Sequence, residues 1–312
     1  MKKILVTGGA GFIGSHFIKR ILSKDQFKVL NLDKLTYAGN LGNLREVEKN
    51  KNYQFIKSDI SNLEKLKEAF LDFKPDYLVN FAAETHVDNS IKGPDIFIKT
   101  NVLGTHNLLF LAKEIGLEKF IQISTDEVYG SIENGSFTEE SPLLPNSPYS
   151  ASKASADLLC RSYLKTFNLP IVIVRCTNNF GPNQFPEKLI PFSVKSLTEG
   201  RNISIYGNGQ NIRDWIFVED FADAVSFLIK EGKIGEIYNV GAKNEFSNID
   251  IARKILRILS LGKDRIEFVK DRPGHDLRYS LDFNKIKKLG WRPEANFDQA
   301  LEQTVLWFVE RF

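Results

Sequence analysis

Two pairs of residues in the middle of the chain have the types and spacing for proton transfer. Tyr149 and Lys153 stand four apart just after Ser147-Pro148, a helix-start signal that puts both side chains on one face, one turn apart. A cation held there favours a phenolate. Together with the positive ring of an oxidised nicotinamide, should the chain bind one, Lys153 would lower the tyrosine pKa until Tyr149 can take a proton from an alcohol whose carbon is losing hydride. An exposed helix pair without chemistry has the same spacing, so the surroundings decide. The second pair, Asp126 and Glu127, follows Thr125 and the apolar run Phe120-Ile121-Gln122-Ile123. Charged groups at the carboxyl end of a central parallel strand sit where open α/β sheets bind ligands. Thr125 there could bond a sugar hydroxyl turned towards Tyr149. A simple alcohol dehydrogenase has no use for two further carboxyls, whereas elimination of water needs both. One carboxylate removes the proton that a neighbouring ketone has acidified, while a carboxylic acid protonates the departing hydroxyl. A helix cap or a surface ion pair explains an isolated Asp-Glu pair equally well.

Such side chains need a frame. Short β-branched runs at Ile4-Val6, Val29-Leu32, Tyr53-Ile56, Tyr77-Phe81, Phe120-Ile123 and Ile171-Val174 alternate with helical patterns, which predicts an α/β fold: a Rossmann-type, doubly wound parallel sheet covered on both faces. Gly9-Ala10-Gly11-Phe12-Ile13-Gly14 directly follows the first run and opens an apolar-periodic helix, the context a G-x-G-x-x-G match requires. Glycines there allow a tight turn and close approach of a pyrophosphate to the helix N-terminus. Asp33 lies nineteen residues after Gly14, placed to accept from ribose hydroxyls and to repel a 2′-phosphate, which favours NAD over NADP. Lys34 beside it pulls the other way, and Asp59 after the third run suits either a cofactor contact or a helix cap. From Thr177 the pattern loosens into Asn, Gly and Pro, and Glu236-Val240 reads as a late strand returning to the main sheet. The expected division is therefore interleaved, with a dinucleotide-binding unit of residues 1–176 plus about 214–243, and a smaller C-terminal substrate-binding lobe of 177–213 and 244–312.

At 312 residues and 42% hydrophobic content the chain can bury a large core. A net charge of +3, with acids and bases interleaved, excludes a nucleic-acid surface. Cys160 and Cys176 lie in apolar runs without metal-ligand spacing, so no metal is expected and both read as buried thiols of a cytoplasmic protein. No run approaches a membrane span and none resembles a targeting segment.

Further motifs run nearly the length of the chain: Ala82-Ala83-Glu84-Thr85-His86-Val87-Asp88, Ser124 through Gly130, Tyr149-Ser150-Ala151-Ser152-Lys153, Asn178-Asn179-Phe180-Gly181-Pro182, Phe185 through Pro191, Arg213-Asp214-Trp215 and Asp271-Arg272-Pro273-Gly274-His275-Asp276. On these the chain resembles the extended short-chain dehydrogenase/reductases and, through Thr-Asp-Glu before Val-Tyr-Gly, their dTDP-glucose 4,6-dehydratase family. The resemblance implies an NAD-dependent lyase of deoxysugar biosynthesis acting on a nucleotide-diphosphate hexose. In it Tyr149 is the base for C4 oxidation, Asp126 the acid that expels the C6 hydroxyl, Glu127 the base at C5, and Thr125 the group that orients the sugar. It implies NAD contacts at Gly8, Gly11, Phe12, Ile13, Gly14, Asp33, Lys34, Leu35, Thr36, Asp59, Ile60, Phe81, Ala82, Ala83, Thr100, Tyr149, Lys153 and Asn179. Substrate contacts are implied at Thr85, His86, Thr125, Asn178, Lys188, Leu189, Tyr206, Arg213, Asn248, Arg272 and His275. A guanidinium such as Arg213 suits a phosphate in shape and charge; His275 fits a structural role in its turn equally. A homodimer formed through helices is implied as well, for which Asn107–Ala112 and Ala156–Leu159 are apolar enough, though core packing explains both equally. Asn89 stands where many members carry arginine, and Ser204-Ile205-Tyr206 departs from a usual Pro-Ile-Tyr, which leaves thymidine or uridine open. A UDP-glucose dehydratase, a nucleotide-sugar 4-epimerase or decarboxylase, and an NAD-sensing binding protein with a decayed site are the alternatives.

Overall fold

Runs too apolar to leave either face to water become strands of one buried parallel sheet. The computed structural model describes residues 1–271 and 273–312. Its first six strands are β1 (Lys2–Thr7), β2 (Phe27–Asp33), β3 (Tyr53–Lys57), β4 (Tyr77–Asn80), β5 (Lys119–Thr125) and β6 (Ile171–Cys176). They are followed by β7 (Asn178–Phe180), β8 (Ile203–Tyr206), β9 (Ile212–Phe217), β10 (Ile237–Val240), β11 (Glu245–Ser247) and β12 (Ile266–Val269). The large sheet has the order β10-β6-β5-β4-β1-β2-β3, with every neighbouring pair parallel. Its order reverses between β1 and β4, so a crevice opens at their carboxyl ends.

Alternation with period two decides which residues face which layer. Ile4 and Val6 join the core under the helices Phe12–Ser23 and Val218–Glu231, while Leu5 faces the opposite core, to which Leu66, Leu108 and Cys160 of the helices Leu63–Phe73, Thr105–Ile115 and Pro148–Phe167 contribute. Within Asn107–Ala112 only Phe110 is exposed, and within Ala156–Leu159 Leu158 is the exposed side chain. Most of both segments is therefore core.

The remaining strands form a second, smaller assembly. β9 lies between β7 and β11, and β8 pairs with β12. A third core, including Phe180, Val194, Trp215, Ile255 and Leu301, fills the space beneath them. Residues 214–217 belong to β9 and thus to this small sheet, and the chain rejoins the large layer with the helix that starts at Val218. Phe283, Ile286 and Trp291, far along the chain, pack into the large sheet's first core. Among the described residues no helix is long and apolar enough to cross a membrane, and no group of three His, Cys, Asp or Glu could hold a metal ion.

Candidate active site

A cleft of about 290 Å³ opens along the carboxyl ends of β1, β2, β4, β5 and β6 and is closed on its far side by residues 177–188. At its deep end the glycine turn leaves no room for side chains. A Cβ at Gly14 would stand 2.4 Å from the carbonyl oxygen of Gly8, and one at Gly8, whose φ is +70°, would stand 2.6 Å from the amide nitrogen of Ala82. Gly11 begins the helix with no side-chain cap, which leaves its first amides to face an anion.

Asp33 ends β2 beside this turn. Its carboxylate accepts from the amides of Ala10 (2.9 Å) and Leu35 (2.8 Å). Burial raises its pKa, and those two bonds work against the rise. Lys34 is tied to Asp59 at 2.7 Å, and Asp59 also accepts from the amide and hydroxyl of Ser61. Partial burial lifts the Asp59 carboxyl, but Lys34 and Ser61 outweigh that and hold it below its usual value. Of the two roles open to Asp59, the helix cap is excluded: Asn62 caps that helix, accepting from the amide of Lys65. Phe12, Ile13, Thr36, Ile60, Phe81, Ala82, Ala83 and Thr100 line the same cleft. Leu35, in a left-handed conformation with φ 55°, contributes its amide to Asp33 and does not line the cleft.

The catalytic candidates converge farther along. Thr125 ends β5 opposite Cys176 of β6 and caps the single turn Asp126–Tyr129, accepting from the amide of Glu127. Asp126 is 2% exposed. Its Oδ1 meets the Thr125 hydroxyl at 3.1 Å, and its Oδ2 has no hydrogen-bond partner among the described residues. Burial first and the charge of Glu127 second push its pKa well up, with Thr125 and Arg213 opposing. The site thus favours the protonated form of Asp126. Glu127 is half-buried, and its charge also raises the phenols of Tyr149 and Tyr279, so the carboxylate stands among all three groups.

Tyr149 enters from the helix Pro148–Phe167, whose start is fixed by a capping box between Ser147 and Ser150 with proline in the first turn. Its ring meets Phe97 edge-on at 6.3 Å. Lys153 lies one turn on, but its ammonium donates to the carbonyl of Ile123 at 2.6 Å. The expected lowering of the tyrosine pKa is not what the protein alone produces: burial, then Glu127, Cys176 and Asp126 raise it, and a hydrogen bond with Thr125 works the other way. That expectation needed two cations acting together, and Lys153 by itself does not outweigh desolvation.

Of the expected substrate residues, Thr85, Thr125, Asn178 and Lys188 line the cleft, and the Lys188 ammonium donates to the Thr85 carbonyl at 2.9 Å. Asn179 also lines it, with its side-chain oxygen buried and unpartnered among the described residues. The others lie around or beyond this set. His86 caps the helix Val87–Lys92, accepting from Asn89. Leu189 starts the helix Leu189–Thr198 and packs on the third core. The Tyr206 hydroxyl donates to Asp88 at 3.1 Å, and its ring meets His275 edge-on; His275 is paired with Asp271 at 2.6 Å. Asn248 is half-buried at the start of Asn248–Ile258. Arg213 is a buried residue, not a surface arginine: it donates to the carbonyls of Ile212 and Asp276 and lies over the Tyr279 ring at 4.3 Å. Arg272 lies outside the described residues.

Reasoning from sequence missed Glu84, Ser124, Cys176, Thr177, Gln184 and Glu187, all of which line the cleft. Cys176 and Thr177 were within reach, because Cys176 ends β6 just as Thr125 ends β5 and Thr177 follows it. The Cys176 thiol donates to the Ser124 carbonyl and is pushed up to about 12 by burial, so it stays protonated. Glu84 is raised by burial, and Asn101 clamps its backbone at both ends. Gln184 and Glu187 sit in loop chain with no periodic signal.

A sequence profile of the family described as GDP-mannose 4,6 dehydratase matches residues 5–304. The low-salt glycan biosynthesis protein Agl12 of Haloferax volcanii is 49% identical, covering 98% of this chain and 98% of its own. A dTDP-glucose 4,6-dehydratase of Neisseria meningitidis is 45% identical over 99% of this chain and 94% of its own. Among solved structures, the dTDP-glucose 4,6-dehydratase DesIV of Streptomyces venezuelae with NAD and TYD bound superposes with a TM-score of 0.96 at 45% identity, covering 99% and 97% of the two chains. A UDP-glucuronic acid 4-epimerase of Bacillus cereus in complex with UDP-glucuronic acid and NAD gives 0.93 at 32% identity, covering 99% and 100%.

Proposed function

The chain belongs to the GDP-mannose 4,6-dehydratase family, and on that footing we propose that it is an NAD-dependent dTDP-glucose 4,6-dehydratase. It converts dTDP-glucose to dTDP-4-keto-6-deoxyglucose and ends each turnover with no net redox change. The observation that carries the reading is Asp126: a carboxyl sealed from water, where burial favours its protonated form, next to Glu127 in the cleft that also holds Tyr149. The choice of dTDP-glucose over the family's other sugars rests on the relatives of that activity at about 45% identity.

The cleft suits a dinucleotide, because the Gly8–Gly14 turn has no space for a Cβ and Asn179 keeps a buried acceptor unpartnered within it. Asp33 would take the ribose hydroxyls, and the hold of Asp59 on Lys34 removes the cation that could have welcomed a 2′-phosphate. NAD, when bound, would supply the hydride acceptor for oxidation at C4 and the hydride donor for reduction at C6. Tyr149 takes the proton of the C4 hydroxyl, oriented by Thr125, with Lys153 as the neighbouring positive charge. Glu127 removes the C5 proton, which the C4 ketone has acidified, and returns a proton to C5 when hydride adds at C6. Asp126 gives its proton to the C6 hydroxyl, which leaves as water. The proton that Tyr149 has taken passes to solvent and Asp126 regains one, which resets both groups. Lys188, Arg213, Asn248, Arg272 and His275 are assigned to the diphosphate and nucleoside, with Thr85, His86, Asn178, Leu189 and Tyr206 along the sugar and its approach.

The same reading divides the chain into a dinucleotide-binding unit of 1–176 plus about 218–243, with β9 left to the small sheet, and a substrate-binding remainder. It also makes the chain a homodimer joined through the helices Thr105–Ile115 and Pro148–Phe167, and places it in the cytoplasm, where its two buried, unpaired cysteines would stay reduced.

Substrate deuterated at C4 tests the function. The expected product is 4-keto-6-deoxy sugar with deuterium at C6. Loss of label to solvent, inversion at C4 without loss of water, or product only from UDP-glucose or GDP-mannose supplied in parallel would reject it.

A further inference from the structure

We propose that Asp157 is a positioning residue for Lys153: a buried carboxylate one helical turn along that holds the ammonium charged, with Arg175 as the counter-charge that keeps Asp157 itself ionised. The inference rests on the reading of Tyr149 and Lys153 as the proton-transfer pair. Lys153 and Asp157 are four apart on the helix Pro148–Phe167, a spacing that brings side chains together on one face. Lys153 is 5% exposed, and the hydrogen bond of its ammonium goes to a neutral carbonyl, that of Ile123. A buried ammonium with neutral partners alone tends to lose its proton. Burial does pull the Lys153 pKa down, and of the groups that oppose it Asp157 ranks ahead of Cys176 and Cys160. Burial raises the pKa of both thiols, so they stay protonated and neither supplies a negative charge.

Asp157 in turn is held from behind. The Arg175 Nε donates to its Oδ2 at 2.9 Å, and the two side chains are 4% and 1% exposed. Arginine pairs a carboxylate most firmly through two parallel bonds. Here one guanidinium nitrogen turns instead to the Tyr129 hydroxyl at 2.8 Å, which itself donates to Asn239 of β10 at 2.9 Å. That leaves the Ser124 hydroxyl of β5 as the other polar group that faces the Asp157 carboxylate. Burial raises the carboxyl on balance, and the charge and hydrogen bond of Arg175, then the Ser124 hydroxyl and the charge of Lys153, oppose the rise. The arrangement is a line of alternating charge, Arg175, Asp157, Lys153, that ends one turn from the catalytic phenol.

The test separates this role from simple pairing with Arg175. In protein with isotope-labelled lysine and no substrate, the side-chain nitrogen resonance of Lys153, assigned through Lys153→Arg, should titrate at lower pH in Asp157→Asn than in the unaltered protein. Because Asp157→Asn strands a buried guanidinium and can unfold the chain, Asp157→Asn with Arg175→Met removes the pair as a unit, a replacement that buried pairs tolerate. The double variant should show the same lowered Lys153 titration, and Arg175→Met alone should lower it to a smaller extent, because Asp157 then lacks the charge that keeps it ionised. In the folded variants kcat should fall about tenfold near neutrality, as one unit of lost tyrosine acidity would give, with KM nearly unchanged and the rising limb of the pH profile moved upward. A Lys153 titration identical in the unaltered and double-variant proteins would overturn the proposal. Since the resonance needs no turnover, a wrong substrate assignment would leave this result intact.

Discussion

Asp126 and Glu127 are neighbours in the chain, yet the fold treats them differently: one is sealed at 2% exposure and the other is half-buried. A carboxyl whose folded pKa lies above its unfolded value makes the native state bind more protons, so stability is lost as pH rises from the unfolded pKa towards the folded one. Asp126→Asn removes that loss. The variant should melt at a higher temperature than the unaltered protein at neutral pH, and the gap should close as the solution is acidified below the usual carboxylate range. The same variant should lose about 10²–10⁴-fold in kcat, the usual share of a general acid, with KM within a few-fold. A variant both less stable and fully active would contradict the assigned role. Residue types were readable here because chemistry limits them; their partners were less so. That Lys153 would bond the carbonyl of Ile123 depends on how the helix sits on β5, and no spacing within the sequence announces it.

At the level of elements, the strand, glycine turn and helix at the start of the chain form one packed piece. A methyl group at Gly14 would meet backbone atoms of Gly8 and Gly9 at 2.4 and 2.8 Å, and backbone cannot step aside as a side-chain tip can. Gly14→Ala should cost about 1–3 kcal/mol of stability, as overpacking does, and weaken NAD binding; chemical denaturation and cofactor titration check the two parts, and native-like values for both would show that the turn is looser than described. The turn was legible because glycine has few substitutes in it, and the strands because alternating residues such as Ile4, Leu5 and Val6 divide between two cores. Caps were harder. Asp59 and His86 carry acceptors suited to several tasks, and only the folded chain shows that Asn62 displaces the first from capping and that the second is used as a cap. Residues 184–188 have no periodicity at all, and tertiary contact alone brings them over the cleft.

Over the whole molecule, the reversal of strand order between β1 and β4 locates the cleft, and that much follows from the alternation of strand and helix. How the two units interlace does not, since Phe283 and Trp291 reach the large sheet from the far end of the chain. The outer surface carries its own signal. Ile98, Leu103, Phe110, Leu158 and Phe167 are exposed on three helical segments that pack together, and exposed apolar groups gathered on one face mark interaction sites. If this face joins two copies, the protein should sediment at the mass of two chains, and Leu103→Glu with Leu158→Glu should give the mass of one; unaltered protein at single-chain mass would end the dimer reading.

The position of β10 also bears on how the chain is made. Its four residues, Ile237–Val240, complete the row next to β6, but they are synthesised after the excursion through β7, β8 and β9. At ribosomal speeds that interval lasts on the order of several seconds. Throughout it the newborn β6 offers open backbone groups to any passing strand, a window in which a chaperone has reason to attend.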